Sequence, residues 1–194
     1  MKLTYFYLVR FTNAAYNMSY SKSWLRFRKS EDDYFTCRYD FMRDEKIMVD
    51  DLRAALLSAS DRETALRLLA EMKPSVVVIA PLIPMVAESA IDSSGLTVIG
   101  LAREILYNYK GNAQVKETIQ AVAVGYLARD DEWHCRRLAE LYELLDYTAE
   151  FDSLVALCQT NINPEIRDIS EDFKSVSAPI VKPITIGTHR CRRR

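Results

Sequence analysis

The sequence contains few of the residues on which most catalytic and cofactor sites depend. It has only two histidines and five glycines, and it contains no phosphate-binding loop, GxGxxG or GxSxG pattern. With two histidines, the chain can form few catalytic pairs of a nucleophile and a histidine. A glycine-rich nucleotide-binding loop is not predicted either. His134 falls on a charged helix face and His189 in a basic terminal segment, so we expect both to be solvated. We therefore predict that this protein is not an enzyme and uses no cofactor.

Paired cysteines and long apolar runs are also missing. The four cysteines are scattered and form no CxxC pair, so we expect reduced thiols and no metal site. The longest uncharged apolar run extends from Val76 to Ala87. It is shorter than the roughly 20 residues that a membrane-spanning helix needs. The first residues carry aromatics interrupted by Arg10 and do not resemble a signal peptide. We therefore expect a cytoplasmic protein without a membrane partner.

The net charge of −1 is the sum over a sequence that contains two basic blocks and one acidic block. Residues 1–29 carry six basic side chains and no acid, and residues 173–194 again carry six basic side chains and no acid. Residues 130–172 instead hold twelve acids against three arginines, a balance of −9. Such an uneven distribution of charge is informative about binding to a partner, or about docking of the protein's own tail. It is not informative about the fold.

Residues 1–46 differ from the rest of the chain in composition. Residues 1–43 hold 12 of the 20 aromatic side chains and contain neither glycine nor proline. Three segments, 3–11, 23–27 and 34–41, are rich in the aromatic and branched residues that favour strands. We predict a small aromatic-rich antiparallel β element here, acting as an N-terminal cap. An aromatic-rich helical cap is the alternative.

Helical patterns dominate residues 47–175. Asp131 is placed to cap one helix, and Asn163-Pro164 begins another, because asparagine accepts from free backbone amides and proline fits a first turn. Residues 76–80 are ambiguous between a buried strand and a helix, and we favour a helix kinked by the prolines that follow. Residues 176–194 are predicted to form an extended basic tail. Whether this tail docks on the protein's own acidic helices is left open.

Four helical segments carry an arginine in a similar place, and these arginines are Arg67, Arg103, Arg137 and Arg167. They are separated by 36, 34 and 30 residues. This spacing is typical of stacked helix pairs, so we predict a mainly α fold, a short solenoid of seven or eight helices. We expect each arginine to pair with a carboxylate or carbonyl of the adjacent repeat and so fix the stacking angle. Contact with phosphate is the alternative.

The segment NPEIRDIS, residues 163–170, resembles the start of a HEAT-type repeat, in which an Asn/Asp-Pro pair begins a helix and an arginine follows. Residues 130–139 look like the same motif without its proline, whereas the segments around Arg103 and Arg67 match less well. The resemblance extends over about residues 55–173. The resemblance implies a HEAT-like α-solenoid that presents a surface to another macromolecule. It says almost nothing about the identity of that macromolecule.

The acidic side chains of the last helices are the predicted partner-binding residues. If they line one surface, their negative field attracts a basic protein at a high rate. A compact, acid-faced helical protein of this size looks like a bacterial immunity protein that occludes a basic toxin or nuclease domain. A generic scaffold or adaptor is the alternative. The predicted surface consists of Glu132, Trp133, Glu140, Glu143, Asp146, Glu165, Asp168, Glu171 and Asp172.

DNA glycosylases built from HEAT-like repeats are the enzymatic alternative. Those enzymes place tryptophans and an aspartate near the damaged base, and Trp133 with Asp131 matches part of that set. The negative balance of residues 130–172 argues against this function, because duplex binding needs a positive track that displaces counterions. We therefore do not expect nucleic acid as the partner.

Overall fold

The computed structural model describes residues 20–176, and within this part every regular element is a helix. The prediction of a mainly α fold is therefore confirmed. The helices are α1 (Lys22–Phe41), α2 (Glu45–Leu57), α3 (Arg62–Met72), α4 (Val76–Ile79), α5 (Ile83–Asp92), α6 (Leu96–Asn108), α7 (Ala113–Leu127), α8 (Glu132–Leu144), α9 (Thr148–Gln159) and α10 (Pro164–Val176).

The chain divides into two units, residues 1–44 and residues 45–194. The described part of the first unit is built on α1. This helix begins after Ser21, whose hydroxyl oxygen accepts a hydrogen bond from the backbone N–H of Trp24 at 3.2 Å. A serine in this position satisfies one of the amides that a helix start leaves unpaired.

The β element predicted in this unit is wrong for residues 23–27 and 34–41, because both segments lie within α1. The aromatic side chains follow helical spacing: the ring of Trp24 stacks on that of Phe27, with ring centroids 5.7 Å apart. Alternation of apolar and polar residues is only partial here, and the charged residues between the aromatics favour helix. The third predicted strand, residues 3–11, and the tail beyond Val176 lie outside the described residues.

The second unit contains four helix hairpins in residues 45–176. Their members are α2 with α3, α5 with α6, α7 with α8, and α9 with α10. The second helices of neighbouring hairpins also pack together: α3 packs on α6, and α8 packs on α10. Among the first helices, α5 packs on both α2 and α7. If residues 76–92 are counted as one kinked segment, this region has eight helical segments, in agreement with the seven or eight predicted.

The ambiguous segment of residues 76–80 is helical. Helix α4 passes through a 3₁₀ turn, Ala80–Leu82, into α5, so the favoured prediction of a kinked helix is confirmed. Pro81 and Pro84 lie at first-turn positions of the 3₁₀ turn and of α5, where a missing N–H removes no helical hydrogen bond. Helix α5 then forms the centre of the core, with most of its side chains buried.

Three connections turn through residues with positive φ that are not glycines. Lys73, Asp130 and Asp146 have φ values of 46°, 51° and 57° and follow the ends of α3, α7 and α8. A left-handed residue lets the chain leave a helix and reverse, and aspartate tolerates it better than most residues do. Gly111, which lies in the turn between α6 and α7, does not adopt this conformation.

The predicted starts of α8 and α10 are confirmed. The Asp131 carboxylate accepts from the backbone N–H of His134 at 3.1 Å, and the Asn163 side-chain oxygen accepts from that of Glu165 at 3.0 Å. Pro164 occupies the first position of α10. These caps fix the register of the two helices that carry most of the predicted binding residues.

Candidate functional site

The second helices α6, α8 and α10 carry a band of charged side chains, which we call the charged surface. On α10, Glu165, Asp168 and Asp172 recur at intervals of three and four residues and therefore share one helix face. The same intervals relate the charged residues of α8 from Glu132 to Glu143. The charged surface consists of Arg103, Glu132, Trp133, Arg136, Arg137, Glu140, Glu143, Glu165, Asp168 and Asp172.

Arg136 joins the face of α8 to that of α10. Its Nε donates to Glu132 Oε1 at 2.7 Å, and its Nη1 donates to Asp172 Oδ2 at 2.8 Å. These two hydrogen bonds raise the pKa of Arg136 above its already high ordinary value. Because one guanidinium contacts carboxylates on both helices, the two faces must adjoin.

A second ionic cluster joins α6 to α8. The Glu140 carboxylate lies between two arginines, with its Oε2 at 2.7 Å from Arg103 Nη2 and at 3.4 Å from Arg137 Nη1. Arg103 Nη2 also approaches the backbone carbonyl oxygen of Arg137 at 3.4 Å. Both guanidinium side chains are largely buried, with exposures of 18% and 16%. Arg103 therefore has the role predicted for it, since it pairs with the carboxylate and carbonyl of the next hairpin.

The prediction of contacts between repeats is wrong for Arg67, Arg137 and Arg167. The side chain of Arg137 pairs with Glu140, three residues later in the same helix. Arg67 pairs with Glu63, one turn earlier in the same helix. Arg167 donates to the backbone carbonyls of Asn161 and Ile162, in the loop that precedes its own helix. In each case the acceptor lies within six residues of the arginine along the chain, so the side chain pairs locally instead of with the neighbouring hairpin.

Trp133 is the one large aromatic side chain in the charged surface, and 45% of it is exposed. The guanidinium carbon of Arg137 lies 4.3 Å from its ring centroid, which is cation–π geometry. Glu140 holds that guanidinium from the other side. The indole is therefore kept in a fixed orientation at the surface, and tryptophan and arginine are the residue types that most often dominate binding energy at interfaces.

Three predicted binding residues are exposed acids whose carboxylates make no hydrogen bond or ion pair within the described residues: Glu143, Glu165 and Asp168. Glu171 is also exposed on α10. Asp146 lies apart, in the turn after α8, where it pairs with Lys110 at the end of α6. Counted together, the six carboxylates and three arginines of the charged surface leave a net charge of −3.

His134 is a residue that the sequence interpretation misjudged. It is buried, with 8% exposure, instead of solvated. Its Nδ1 pairs with Asp131, and its Nε2 lies 3.0 Å from Asp92 Oδ1 at the end of α5. Its ring packs against that of Tyr126, with centroids 4.7 Å apart. The pairing with Asp131 was visible in the sequence as a capping residue three positions earlier, but Asp92 lies 42 residues away and gave no signal.

The two carboxylates control the protonation of His134. Burial disfavours the charged imidazolium, but the hydrogen bonds to Asp131 and Asp92 and their negative charges outweigh it, so the pKa of His134 is raised. Asp131 uses one oxygen for the backbone of α8 and the other for the imidazole, so it is not free to act as a base on a ligand. The cluster therefore joins the end of α5 to the start of α8.

A groove of about 420 Å³ lies between α7 and α9, the first helices of the last two hairpins. One end is polar. There Glu150 Oε1 accepts from Lys116 Nζ at 2.7 Å and from the side-chain amide of Gln120. The hydrogen bond from Lys116 lowers the pKa of Glu150, and burial raises that of Tyr142 to about 12. The apolar part is lined by Ala123, Val124, Leu127, Leu154 and Leu157.

Residues 20–176 contain no group of three histidine, cysteine, aspartate or glutamate side chains arranged to hold a metal ion. In the same range, no helix combines the length and apolar character needed to cross a bilayer. Comparison with models of known protein families, with curated proteins and with solved structures finds no match to this chain.

Proposed function

We propose that this protein is a non-catalytic HEAT-like helical-repeat protein that binds a basic protein partner through its charged surface. The observation that carries the proposal is that the Arg103–Glu140 and Arg136–Asp172 hydrogen bonds join α6, α8 and α10 into one charged surface, on which the indole of Trp133 is exposed. Lysines and arginines of the partner would pair with Glu143, Glu165 and Asp168, while Trp133 packs against its apolar surface. Complementary charge would speed the encounter and select against acidic proteins.

Within this class, we propose an inhibitor of the immunity or antitoxin type, which occludes a basic toxin or nuclease domain. Occlusion requires complementarity of shape and charge, and it requires no reactive group on the inhibitor. Glu132, Glu140 and Asp172 act as ion-pair partners of arginines, which suits a binding surface better than a catalytic one. A gene for such an inhibitor should lie directly beside the gene for its larger toxin.

A scaffold or adaptor is the second candidate, and the three arginines of the charged surface favour it. Arg103, Arg136 and Arg137 neutralise Glu132, Glu140 and Asp172, so part of the surface is balanced in charge. The dependence of binding on salt separates the candidates. An inhibitor of a strongly basic domain should lose affinity steeply as ionic strength rises, because exposed charges are screened, whereas an adaptor with a balanced interface should respond weakly.

The direct test reverses two of the unpaired acids. We expect Glu143→Lys with Asp168→Lys to weaken partner binding about tenfold at physiological salt, because two attractive contacts become repulsive. The partner is first isolated from the source cell with the tagged wild-type protein and identified by mass spectrometry. Affinities of the purified partner are then measured by calorimetry at low and high salt.

The matched control is Asp51→Lys with Glu117→Lys. These acids are also exposed and helical, on α2 and α7, and their carboxylates make no hydrogen bond or ion pair within the described residues. The control changes the net charge by the same amount, so a general effect of charge would weaken binding equally in both variants. Equal affinities for the two variants would exclude the charged surface as the binding site.

Trp133→Ala provides an independent test of the same surface. We expect about a tenfold loss of affinity, since removing an aromatic anchor commonly costs more than 1 kcal/mol of binding energy. Its thermal stability should change little because nearly half of the side chain is exposed. Leu57→Ala, at an exposed apolar side chain on α2, is the control. An unchanged affinity in Trp133→Ala would remove the indole from the interface.

A further inference from the structure

Helix α1 presents aromatic side chains that have no role in the proposed function. None of its 20 residues is buried within the part of the chain that the structure describes. Trp24, Phe27 and Phe35 are 44%, 57% and 54% exposed. Most helices in proteins depend on a packed face for their stability, and a contiguous apolar patch at a surface commonly marks a site of interaction. The aromatic side chains of α1 are therefore candidates for an interface.

These aromatic side chains lie on one side of the helix, which we call the aromatic face. Phe27 and Tyr34 are seven residues apart, which is about two helical turns. Trp24 and Phe35 are eleven residues apart, which is about three turns, and Tyr39 follows about one turn later. The rings of Trp24 and Phe27 stack with centroids 5.7 Å apart, so the two rows adjoin. The aromatic face extends along about 22 Å of the helix and consists of Trp24, Phe27, Tyr34, Phe35 and Tyr39.

The charges of α1 are divided unevenly between its two halves. Residues 22–29 carry four basic side chains and no acid, whereas residues 31–40 carry four acids and one arginine. An isolated helix favours the reverse order, because its start carries a partial positive charge and its end a partial negative charge. Lys22 in the first turn and Asp40 in the last turn are therefore unfavourable for α1 alone, whereas Arg38 in the last turn is favourable.

A second copy of α1 that runs in the opposite direction complements this distribution. The acidic half of each helix then lies beside the basic half of the other, and each end of one helix dipole meets the opposite end of the other. Two helices in the same direction would instead bring like charges together. The partner that best fits α1 is therefore an antiparallel copy of itself.

The side chains that flank the aromatic face indicate how the two helices align. Arg28 and Asp32 flank it on the same side, and neither side chain makes a hydrogen bond or ion pair within the described residues. Residues on the same flank face each other across an antiparallel helix pair, so Arg28 of one copy meets Asp32 of the other, twice in the dimer. Trp24 lies about one turn before Arg28. Phe35 lies about one turn after Asp32, so the same alignment brings it opposite Trp24 of the other copy.

We propose that two copies of this chain associate through α1, with the two helices antiparallel and their aromatic faces in contact. Burial of the aromatic rings supplies the affinity, and the two pairs of Arg28 with Asp32 fix the direction. No residue of the charged surface takes part, so each copy keeps its own charged surface and the dimer is independent of the partner proposed above.

Sedimentation equilibrium of the full chain over a range of concentrations tests the association. We expect the apparent mass to rise from the 22.3 kDa of one chain toward twice that value. Trp24→Gln with Phe35→Gln should weaken the dimer at least tenfold, because it removes apolar contacts without adding charge. Leu57→Gln with Val77→Gln, at exposed apolar side chains of α2 and α4, is the control and should leave the dimer unchanged.

Charge reversal in the full chain tests the pairing of the two halves. Arg28→Glu with Lys29→Glu should weaken the dimer at least tenfold, because it places like charges across the interface. Glu31→Lys with Asp32→Lys should do the same. An equal mixture of the two variants should recover dimer formation, since each now carries the charge that the other lacks. Recovery would also show that both variants keep a folded α1.

Spin labels report the direction of the helices. Ser30 lies at the crossing point of the proposed alignment, so labels on Ser30→Cys should be close together. Labels on Cys37 should instead be separated by about 20 Å along the helices. Cys191 is replaced by serine in both proteins, and Cys37 in the first, while Cys135 and Cys158 are buried. Equal distances at the two positions would indicate parallel helices and would overturn the proposed pairing.

Three further outcomes bear on the proposal. Monomers at every concentration, or a dimer that survives the substitutions in α1, would overturn it. If such monomers sediment with vesicles of anionic lipid, the aromatic face binds a membrane instead. Loss of the dimer in Glu143→Lys with Asp168→Lys would also overturn the proposal and would assign the contact to the charged surface. Asp51→Lys with Glu117→Lys makes the same change of charge on α2 and α7 and should leave the dimer intact.

Discussion

Replacing Glu140 with alanine should lower the free energy of unfolding by about 2–3 kcal/mol, because it leaves two largely buried arginines facing each other without a counter-charge. The carboxylate of Glu140 is the shared partner of Arg103 and Arg137, whose side chains are 18% and 16% exposed. The pair is only partly buried, since 34% of Glu140 remains exposed, which places the effect below that of a fully buried pair. Urea unfolding followed by circular dichroism measures it.

The interaction itself is isolated by a double-mutant cycle. Arg103→Met removes one guanidinium but keeps the length of its aliphatic stem, and the double variant Arg103→Met with Glu140→Ala should be less destabilised than the sum of the single variants by about 1–2 kcal/mol. Glu143→Ala is the control on the same helix, because this acid is exposed and its carboxylate makes no hydrogen bond or ion pair within the described residues. Additive effects in the cycle would show that Arg103 and Glu140 stabilise the fold independently.

Replacing His134 with leucine should cost about 2 kcal/mol at pH 6, since two hydrogen bonds to carboxylates are lost and a buried link between α5 and α8 is broken. Asp92 and Asp131 remain 45% and 41% exposed, so water can solvate them after the substitution and limit the loss. The cost should shrink as the pH rises through the raised folded-state pKa of His134, because the wild-type histidine then loses the proton that strengthens both contacts.

The direction of this pH dependence follows from the raised pKa of His134. A raised folded-state pKa means that the contribution of the protonated histidine is complete below its ordinary pKa of about 6.5 and is lost as the pH rises through the folded-state value. Asp131 has the opposite dependence: hydrogen bonds from His134 outweigh burial and lower its pKa below 3.8. Its contribution is complete above that pH and is lost as the pH falls through the lower folded-state value. Both contributions are therefore complete between about pH 4 and pH 6.5.

Chemical denaturation at a series of pH values checks this prediction. The free energy of unfolding of the wild type should decline from pH 6.5 toward pH 9, and that of His134→Leu should decline less. His189→Gln is the control, because it removes the other histidine of the chain. Parallel curves for the wild type and His134→Leu would contradict the raised pKa, and a flattened curve in His189→Gln would place the titrating histidine elsewhere.

The local features of this fold could be predicted from sequence because each depends on a few neighbouring residues. Asn163-Pro164 and Asp131 begin helices where expected, since a side-chain acceptor for free amides acts within three residues. The interval between the four arginines was also informative, because all four fall on second helices of hairpins. The aromatic content of residues 23–41 was misleading, since propensity for strands is weaker evidence than the helical spacing of the same side chains.

What could not be predicted depends on which distant elements meet. Arg103 pairs with Glu140 of the next hairpin, whereas Arg67 pairs with Glu63 of its own helix, although the two arginines occupy similar places in the sequence pattern. The burial of His134 required Asp92 at the end of α5. The groove arises from the separation of α7 and α9, which no single-helix pattern encodes. Glu132 and Asp172 meet through Arg136, an arginine outside the four whose spacing predicted the repeats.

The hydrogen bonds between hairpins have a consequence for how this chain folds and changes in length. Those from Arg103 to Glu140, from Tyr147 to Lys110 and from Arg136 to Asp172 span 36–37 residues, so each joins a hairpin or its flanking turn to the next one along the chain. Contacts between residues this close in sequence require only short stretches of chain to close into loops. Folding can therefore begin at any adjacent pair of hairpins and spread in either direction. Duplication or loss of a whole hairpin would then alter one junction and leave the others intact, which gives such a chain an easy route to longer or shorter descendants.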